Sequence, residues 1–467
     1  MENFWDFRVW GSMNLIAVLL LSLLAANMLK RTVKFFQASL IPTSVFGGAI
    51  LIVISSVYKL ATGEVMFDTA FFGGNGTTIL EIITYHALAL GFIASTFKTS
   101  ENELTKKRTV EILNTGCTTV STYLMQGILG MSISLIAALL LGDFFPAAGV
   151  LLPFGYGQGT GQAMNYGNIY ETQFGFVGGK SFGLSIAALG FISSGIGGII
   201  HLSLLRKKGV ISKEAHSNVT DTEQFQSDNE IPMQENLDKL TVQVALVVGA
   251  YLLTFLVMYA LGSLLPNMKA VIFGFNFLLG VVSATLIKGV INFLYRKKGV
   301  IHRNYISNFL MTRTSNFCYD VMVVAGIAAI RLSTLKAYLG VIMIMGVVGA
   351  VSTYFYNYYV AKKLFPEYCE EQFLVMYGML TGTASTGIML LREIDGEFRT
   401  PAANNLVLQN FPAIVLGFPM MLLATVAPEQ PVLCLAIFIA LFLLLNLLLF
   451  RSVLFKKKCA DRLAHKP

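Results

Sequence analysis

Apolar residues along the chain gather into long runs separated by short polar segments. About 20 mainly apolar residues suffice for one helical crossing of a bilayer. Runs of that kind lie near 11–29, 39–60, 80–97, 112–141, 174–205, 240–266, 269–295, 305–330, 336–361, 400–428 and 430–455, which predicts eleven spans. The first run ends at Lys30 and Arg31, lacks a basic leading region and shows no persuasive cleavage site. It reads as a retained helix, not a signal peptide. The stretch Arg206–Lys239 carries Ser, Thr, Asn, Gln, Asp and Glu with almost no apolar clustering. It reads as a mobile cytoplasmic linker between an N-terminal half (1–205) and a C-terminal half (240–428), with residues 429–467 adding one helix and a basic cytoplasmic tail.

Composition sharpens the class. Only 13% of the 467 residues are charged and 55% are hydrophobic, against about 25% charged in a soluble domain. Mean hydropathy is +0.66. A soluble enzyme, a disordered chain and a nucleic-acid-binding domain are excluded, and an all-α polytopic membrane protein is expected. The five cysteines, Cys117, Cys318, Cys369, Cys434 and Cys459, form no CxxC pair and suggest neither a disulfide framework nor a thiolate metal site.

The net charge of +8 is spread unevenly. Alternate loops collect Lys30, Arg31, Lys34, Lys98, Lys106, Lys107, Arg108, Arg206, Lys207, Lys208, Arg296, Lys297, Lys298, Lys362, Lys363 and the basic tail. The opposite loops hold little more than Arg8, Lys269, Arg331 and Lys336. Basic residues are retained on the cytoplasmic side, so the N-terminus is expected outside and the C-terminus inside a plasma (inner) membrane. An odd number of spans gives the same orientation.

Two segments fit neither spans nor plain loops. One, at 146–167, reads PAAGVLLPFGYGQGTGQAMNYG; the other, at 371–395, carries YGMLTGTASTGIMLLREID. Each has a short apolar arm, a tip rich in Gly, Thr, Ser or Gln, and a second short arm. Arms of about ten residues are too short to cross, and irregular backbone at membrane depth needs a protein or water lining. Two re-entrant hairpins are therefore expected. The tips align Gly159 with Gly382 and Thr160 with Thr383, and their separation nearly matches that of the first spans of the two halves, at 11 and 240. Each half reads as four helices, a hairpin and a fifth helix. Five being odd, the repeats are inverted, the arrangement that points to a secondary transporter. Small-residue helix packing is the plainer alternative for either tip.

The chemistry of the tips suits an anion. Broken helices present unpaired N–H groups and a positive dipole end. Gly159 and Gly161 let the backbone approach a ligand, and Gln158, Thr160 and Gln162 add donors from the first tip. Thr383, Ser385 and Thr386 do so from the second. Arg392 could pair a substrate carboxylate or serve as one more cytoplasmic charge. Asn404 and Asn405, after Pro401, could complete a substrate or ion site or merely cap a helix. Ionisable residues at membrane depth are functional candidates: Asp320 for a coupling cation and His86 for a proton or ion. Arg313 and Lys180 suit snorkelling to a surface.

At these residues the chain resembles the bacterial sodium/glutamate symporters. Gly157-Gln158-Gly159-Thr160-Gly161-Gln162-Ala163 is similar to that family's GGHGTGAAW-like first tip, and Gly382-Thr383-Ala384-Ser385-Thr386-Gly387 to its GATPTAIANM-like second tip. Ile41-Pro42 with Gly47-Gly48 resembles an IPEPVAGG-like start of the second helix. Glu171–Gly175 with the Gly195–Gly198 cluster resembles the fifth. The resemblance covers residues 10–425. Departures fall at the tips, where Gln158 replaces a His, Gln162 an Ala and Ser385 a Pro. The linker is longer, and the eleventh helix is extra.

The resemblance implies a ten-helix inverted fold, sodium as the coupling ion, a homodimer and an elevator-like motion. The resulting expectation is a non-enzymatic, sodium-coupled symporter of a small carboxylate such as glutamate, embedded in the bilayer, without further cofactor or nucleic-acid partner. A proton-coupled carrier or an exporter of another organic anion is the alternative, and an ion channel a third. No P-loop or HExxH motif is present, so a gradient must drive transport.

Overall fold

The computed structural model describes residues 3–37, 40–98, 105–209, 237–296, 304–395 and 399–451. These residues form helices and turns and no β-strand. Fifteen helices build the two hairpins and their surroundings. In the first half they are α1 (Phe7–Thr32), α2 (Thr43–Thr62), α3 (Gly76–Phe97), α4 (Lys106–Leu141), α5 (Thr160–Phe174) and α6 (Gly179–Lys207). In the second they are α7 (Lys239–Leu264), α8 (Asn276–Arg296), α9 (Asn308–Ala328), α10 (Leu339–Leu364), α11 (Cys369–Thr381) and α12 (Ala384–Arg392). Then come α13 (Ala402–Leu408), α14 (Asn410–Val426) and α15 (Pro431–Leu449).

Nine helices among the described residues are long and apolar enough to cross a membrane, ten if the bent pair Ala402–Leu408 and Pro412–Val426 forms one span. The eleven expected runs differ from these in definable ways. The run at 305–330 does form α9, but Asn308, Arg313, Asn316 and Asp320 make it more polar than the nine. The run at 174–205 begins at Gly179, because Gly175 and Gly178 adopt positive φ (70° and 80°) and turn the chain between α5 and α6. The run at 269–295 is divided at Phe275 between Lys269–Gly274 and α8. At the expected linker, α6 continues to Lys207 and Asp238 caps α7 through Leu240 N (2.9 Å); residues 210–236 and the basic tail from 452 lie outside the described residues.

The chain divides into two compact units. The first comprises Met1–Asn27, Phe46–Glu103 and Thr220–Ala329, and so holds α3, α7, α8, α9 and most of α1 and α2. Small residues let these helices pack closely. On α9, Ser315 Oγ contacts Ser95 Oγ (2.7 Å) and the Gly91 carbonyl (3.1 Å), while the Tyr319 ring covers Gly91. Residue 95 meets 315 and residue 91 meets 319, so α3 and α9 run antiparallel. Gly48 of α2 abuts Ile327 of α9. Lys288 of α8 donates to the Thr96 and Lys98 carbonyls and so closes the C-terminus of α3.

The second unit comprises Met28–Val45, Leu104–Val219 and Ile330–Pro467, with α4, α5, α6 and α10 to α15. Its spine is α4, whose 36 residues extend about 54 Å at 1.5 Å per residue. Gly130 of α4 and Gly149 touch backbone to backbone, with no room for a Cβ on either. Gly183 of α6 lies against the Ala163 carbonyl in the same manner. Tyr166 and Tyr170 of α5 donate to the Met421 and Ala424 carbonyls of α14 (2.9 and 2.6 Å).

The element order repeats. Each half of the chain contributes three helices to the first unit, then a long helix, a broken helical pair and a further helical segment to the second. The last helix, α15, stands outside that order and packs on α4, where Phe438 covers Gly127.

Candidate functional site

Both Gly-rich segments form helix–break–helix hairpins, and both belong to the second unit. In the first, a 3-10 turn (Ala148–Val150), one helical turn (Leu151–Pro153) and a π-turn (Phe154–Gln158) lead to Gly159, after which α5 begins. Gly159 has φ 84° and ψ −171°, a region open essentially to glycine alone. The arms fold back on each other, with Phe154 stacked on Tyr166 at 3.9 Å between centroids. In the second hairpin, α11 breaks at Gly382 and α12 follows. Its arms close through facing glycines, since a Cβ on Gly378 would lie 2.7 Å from the Gly387 Cα.

The two tips meet the middle of α6. A Cβ on Gly190 would stand 2.5 Å from the Thr381 carbonyl and 3.1 Å from the Tyr156 ring, and Phe191 lies beside Gly382. Tyr156 donates to the Gly346 carbonyl of α10 (2.6 Å) and contacts Ser193 Oγ (3.0 Å). Tyr377 donates to the Ser193 carbonyl (3.0 Å).

The carbonyls released by the breaks are collected by one helix. Tyr123 of α4 donates to the Gly157 carbonyl (3.0 Å), and Gln126, three residues on, donates to the Leu380 carbonyl (3.0 Å). One face of α4 therefore holds the C-terminal ends of the first arms of both hairpins. At the opposite polarity, Thr160, Gly161 and Gln162 open α5 and are buried. The Gln162 Oε1 accepts from Asn165 Nδ2 (3.4 Å), whereas its Nε2 is buried and has no partner among the described residues. Gln158 is half-buried at the end of the π-turn. In the second tip Thr383 caps α12 by accepting from Thr386 N, with the two hydroxyls 3.2 Å apart; Thr386 is buried and Ser385 exposed.

The remaining sequence-derived candidates separate. Arg392 ends α12 and is exposed. Asn404 is half-buried, and Asn405 is fully buried one turn into α13. Asn405 does not serve as a helix cap: its Nδ2 donates to Tyr368 Oη (3.0 Å) and Gln372 Oε1 (3.1 Å), and its Oδ1 has no partner among the described residues. Burial pushes the Tyr368 phenol well above its ordinary range, so it stays neutral. Asp320 and His86 belong to the first unit, not to the one that carries the tips. Both are exposed; His86 Nδ1 lies 2.6 Å from Tyr251 Oη, and Arg313 sits over the Phe309 ring. Lys180 lies in the first turn of α6, with its backbone N–H on Glu171 (3.1 Å).

Two polar groupings escaped the sequence reading. One is a buried ladder along α4. Thr119 donates to Gln409 (2.9 Å), Gln372 donates to Thr115 (3.3 Å) and Gln409 reaches Met379 Sδ. Its signal was the run NTGCTTVST at 114–122 inside an apolar helix. The other centres on His201 of α6, which is 4% exposed. Its Nε2 lies 2.7 Å from Glu370 Oε2 and its Nδ1 2.7 Å from Tyr354 Oη, with Tyr358 and Phe373 packed around the ring. A carboxylate only accepts, so Nε2 carries the hydrogen. His201→Ala is expected to destabilise the protein by about 2–4 kcal/mol, through two lost hydrogen bonds and a cavity. Thermal unfolding in detergent checks this, with His201→Gln retaining part of the loss.

No protein-family model matches the chain, and no curated protein matches it in sequence.

Proposed function

We propose that the protein is a secondary transporter of a small carboxylate, coupled to sodium, whose substrate site lies between the two broken tips. The observation that carries this reading is Gln162: a fully buried side-chain N–H with no acceptor among the described residues, in the first turn of a 15-residue helix. A helix N-terminus already favours an anion, and a buried donor without a partner is costly unless a ligand supplies the acceptor. Residues 154–164 and 378–388 contain no Asp or Glu. The site therefore favours the carboxylate end of a substrate, and an amino group such as that of glutamate would be met by hydroxyl and carbonyl oxygens. Thr160, Gln158, Gly159, Gly161, Thr383, Ser385 and Thr386 would contribute the rest.

Transport by alternating access is supported by the repeated element order and by antiparallel packing of the equivalent helices α3 and α9. Inverted repeats related by an axis in the membrane plane would place such pairs antiparallel. Both hairpins lying in one compact unit supports an elevator-like displacement of that unit, with the hairpins re-entrant from opposite faces. Sodium coupling, a homodimer, and a plasma-membrane setting with the N-terminus outside complete the reading, the first two on the family resemblance.

Thermal unfolding of the purified protein with glutamate and related acids, in sodium or in potassium, tests it. A ligand that binds only the folded state raises its stability by mass action. A sodium-dependent rise with one acid supports the reading, and no rise with any acid in either salt rejects it. Thr160→Val and Thr383→Val are expected to lower sodium-driven uptake in proteoliposomes by about 5–30-fold, each by losing a hydroxyl worth about 1–2 kcal/mol. A proton-coupled carrier is the second reading, favoured by the His201–Glu370–Tyr354 chain; uptake driven by a pH gradient without sodium would select it.

A further inference from the structure

Four buried side chains close a polar ring where α4 meets α10. They are Thr122 and Gln126, one turn apart on α4, and Thr353 and Asn357, one turn apart on α10. Each is at most 1% exposed. Gln126 Nε2 donates to Thr353 Oγ1 (2.8 Å), and Asn357 Nδ2 donates to Thr122 Oγ1 (3.3 Å). Residue 126 meets 353 and residue 122 meets 357, so these equivalent helices also run antiparallel. Both present Thr-x-x-x-amide at the ring.

The amide orientations are set by groups that can only accept. Gln126 Nε2 also faces the Leu380 carbonyl (3.0 Å), and Asn357 Nδ2 faces the Thr353 carbonyl (3.0 Å). Turning either amide over would aim oxygen at oxygen. The remaining atoms, Gln126 Oε1 and Asn357 Oδ1, are buried carbonyl oxygens without a donor among the described residues. The Leu380 carbonyl that Gln126 meets lies in the last turn of α11, whose C-terminus carries negative partial charge.

We infer that Gln126 Oε1 and Asn357 Oδ1, with the Thr353 hydroxyl that Gln126 touches, form a binding site for a dehydrated monovalent cation, sodium above all. Hard oxygens without nitrogen or sulfur suit an alkali or alkaline-earth ion. None of the four ring residues is charged, so nothing there neutralises a divalent ion. None of Asp320, His86, Asn404 and Asn405 is among these ligands. Only the ion's role in transport rests on the transporter reading; its binding does not.

The test is thermal unfolding of the full-length protein without any organic acid, in sodium chloride, potassium chloride or N-methylglucamine chloride at equal ionic strength. The wild type is expected to show a saturable rise in midpoint with sodium over N-methylglucamine. Asn357→Ala is expected to lose that rise, and Thr353→Ser to keep it. Gln126→Leu would also remove the partner of the Leu380 carbonyl and so mix a folding defect with loss of the ion; Asn357→Asp therefore serves as the second variant. It keeps the oxygen, adds a charge, and should shift half-saturation to lower sodium. Equal wild-type midpoints in the three salts overturn the site, as does a sodium-dependent rise that survives Asn357→Ala. Uptake without sodium dependence beside an intact rise would reject the coupling and leave the site standing.

Discussion

Replacing Gln162 with leucine is expected to weaken substrate binding by about 10–100-fold while raising, not lowering, the thermal stability of the protein. The side chain is fully buried, and its Nε2 has no acceptor among the described residues. Leucine has nearly the same volume and removes an unsatisfied donor whose burial costs about 1–3 kcal/mol. The hydrogen bond that Gln162 accepts from Asn165 is long at 3.4 Å. A hydrogen bond to a carboxylate contributes about 1.5–3 kcal/mol, and about 1.4 kcal/mol is tenfold in affinity. The two readouts move in opposite directions, which a purely structural glutamine would not produce. Concentration-dependent uptake in proteoliposomes, beside unfolding midpoints without substrate, measures both. Unchanged affinity with lowered stability would make Gln162 a packing residue and remove the main support for a carboxylate at the first tip.

Gly190→Val is expected to abolish uptake and to lower the unfolding midpoint, at a cost of about 1–3 kcal/mol or more. A Cβ there would lie 2.5 Å from the Thr381 carbonyl and 3.1 Å from Tyr156, between the last turn of α11 and the π-turn of the first hairpin. Neither neighbour is the free end of a flexible side chain, so the strain falls on both tips at once. Gly190→Ala should give a smaller effect in the same direction. The control is Gly249→Ala on α7, where no atom lies within 4 Å of the added Cβ. There the loss of glycine's excess flexibility should stabilise the helix by about 0.5–1 kcal/mol. If Gly190→Val retains wild-type uptake, the two tips do not depend on their seating against α6.

The helices and their breaks were legible because they are local. Runs of about 20 apolar residues and the GQGTGQ and TGTAST tips lie within a few turns of chain, and each hairpin folds where those tips occur. The ends of the helices were less legible. The start of α6 depends on a two-glycine turn at Gly175 and Gly178, and α9 meets α3 through Ser315, which bonds Ser95 and the Gly91 carbonyl. The candidate ion ligands fared differently from the tips. Asp320 and His86 drew attention as charges in apolar runs, but the chain places them in the unit without the hairpins. Gln126, Asn357 and His201 drew none, because a single amide or imidazole in an apolar helix has no sequence pattern of its own.

By itself the sequence determined what hydrophobic length and backbone chemistry dictate locally: the helical membrane class and the positions where helices break. Tertiary structure alone decided which buried polar atoms find partners. Gln126 and Leu380 are 254 residues apart and Gln126 and Thr353 are 227 apart. A lone amide oxygen or N–H becomes a binding feature only once long-range packing has assigned every other group around it and left that one without a partner.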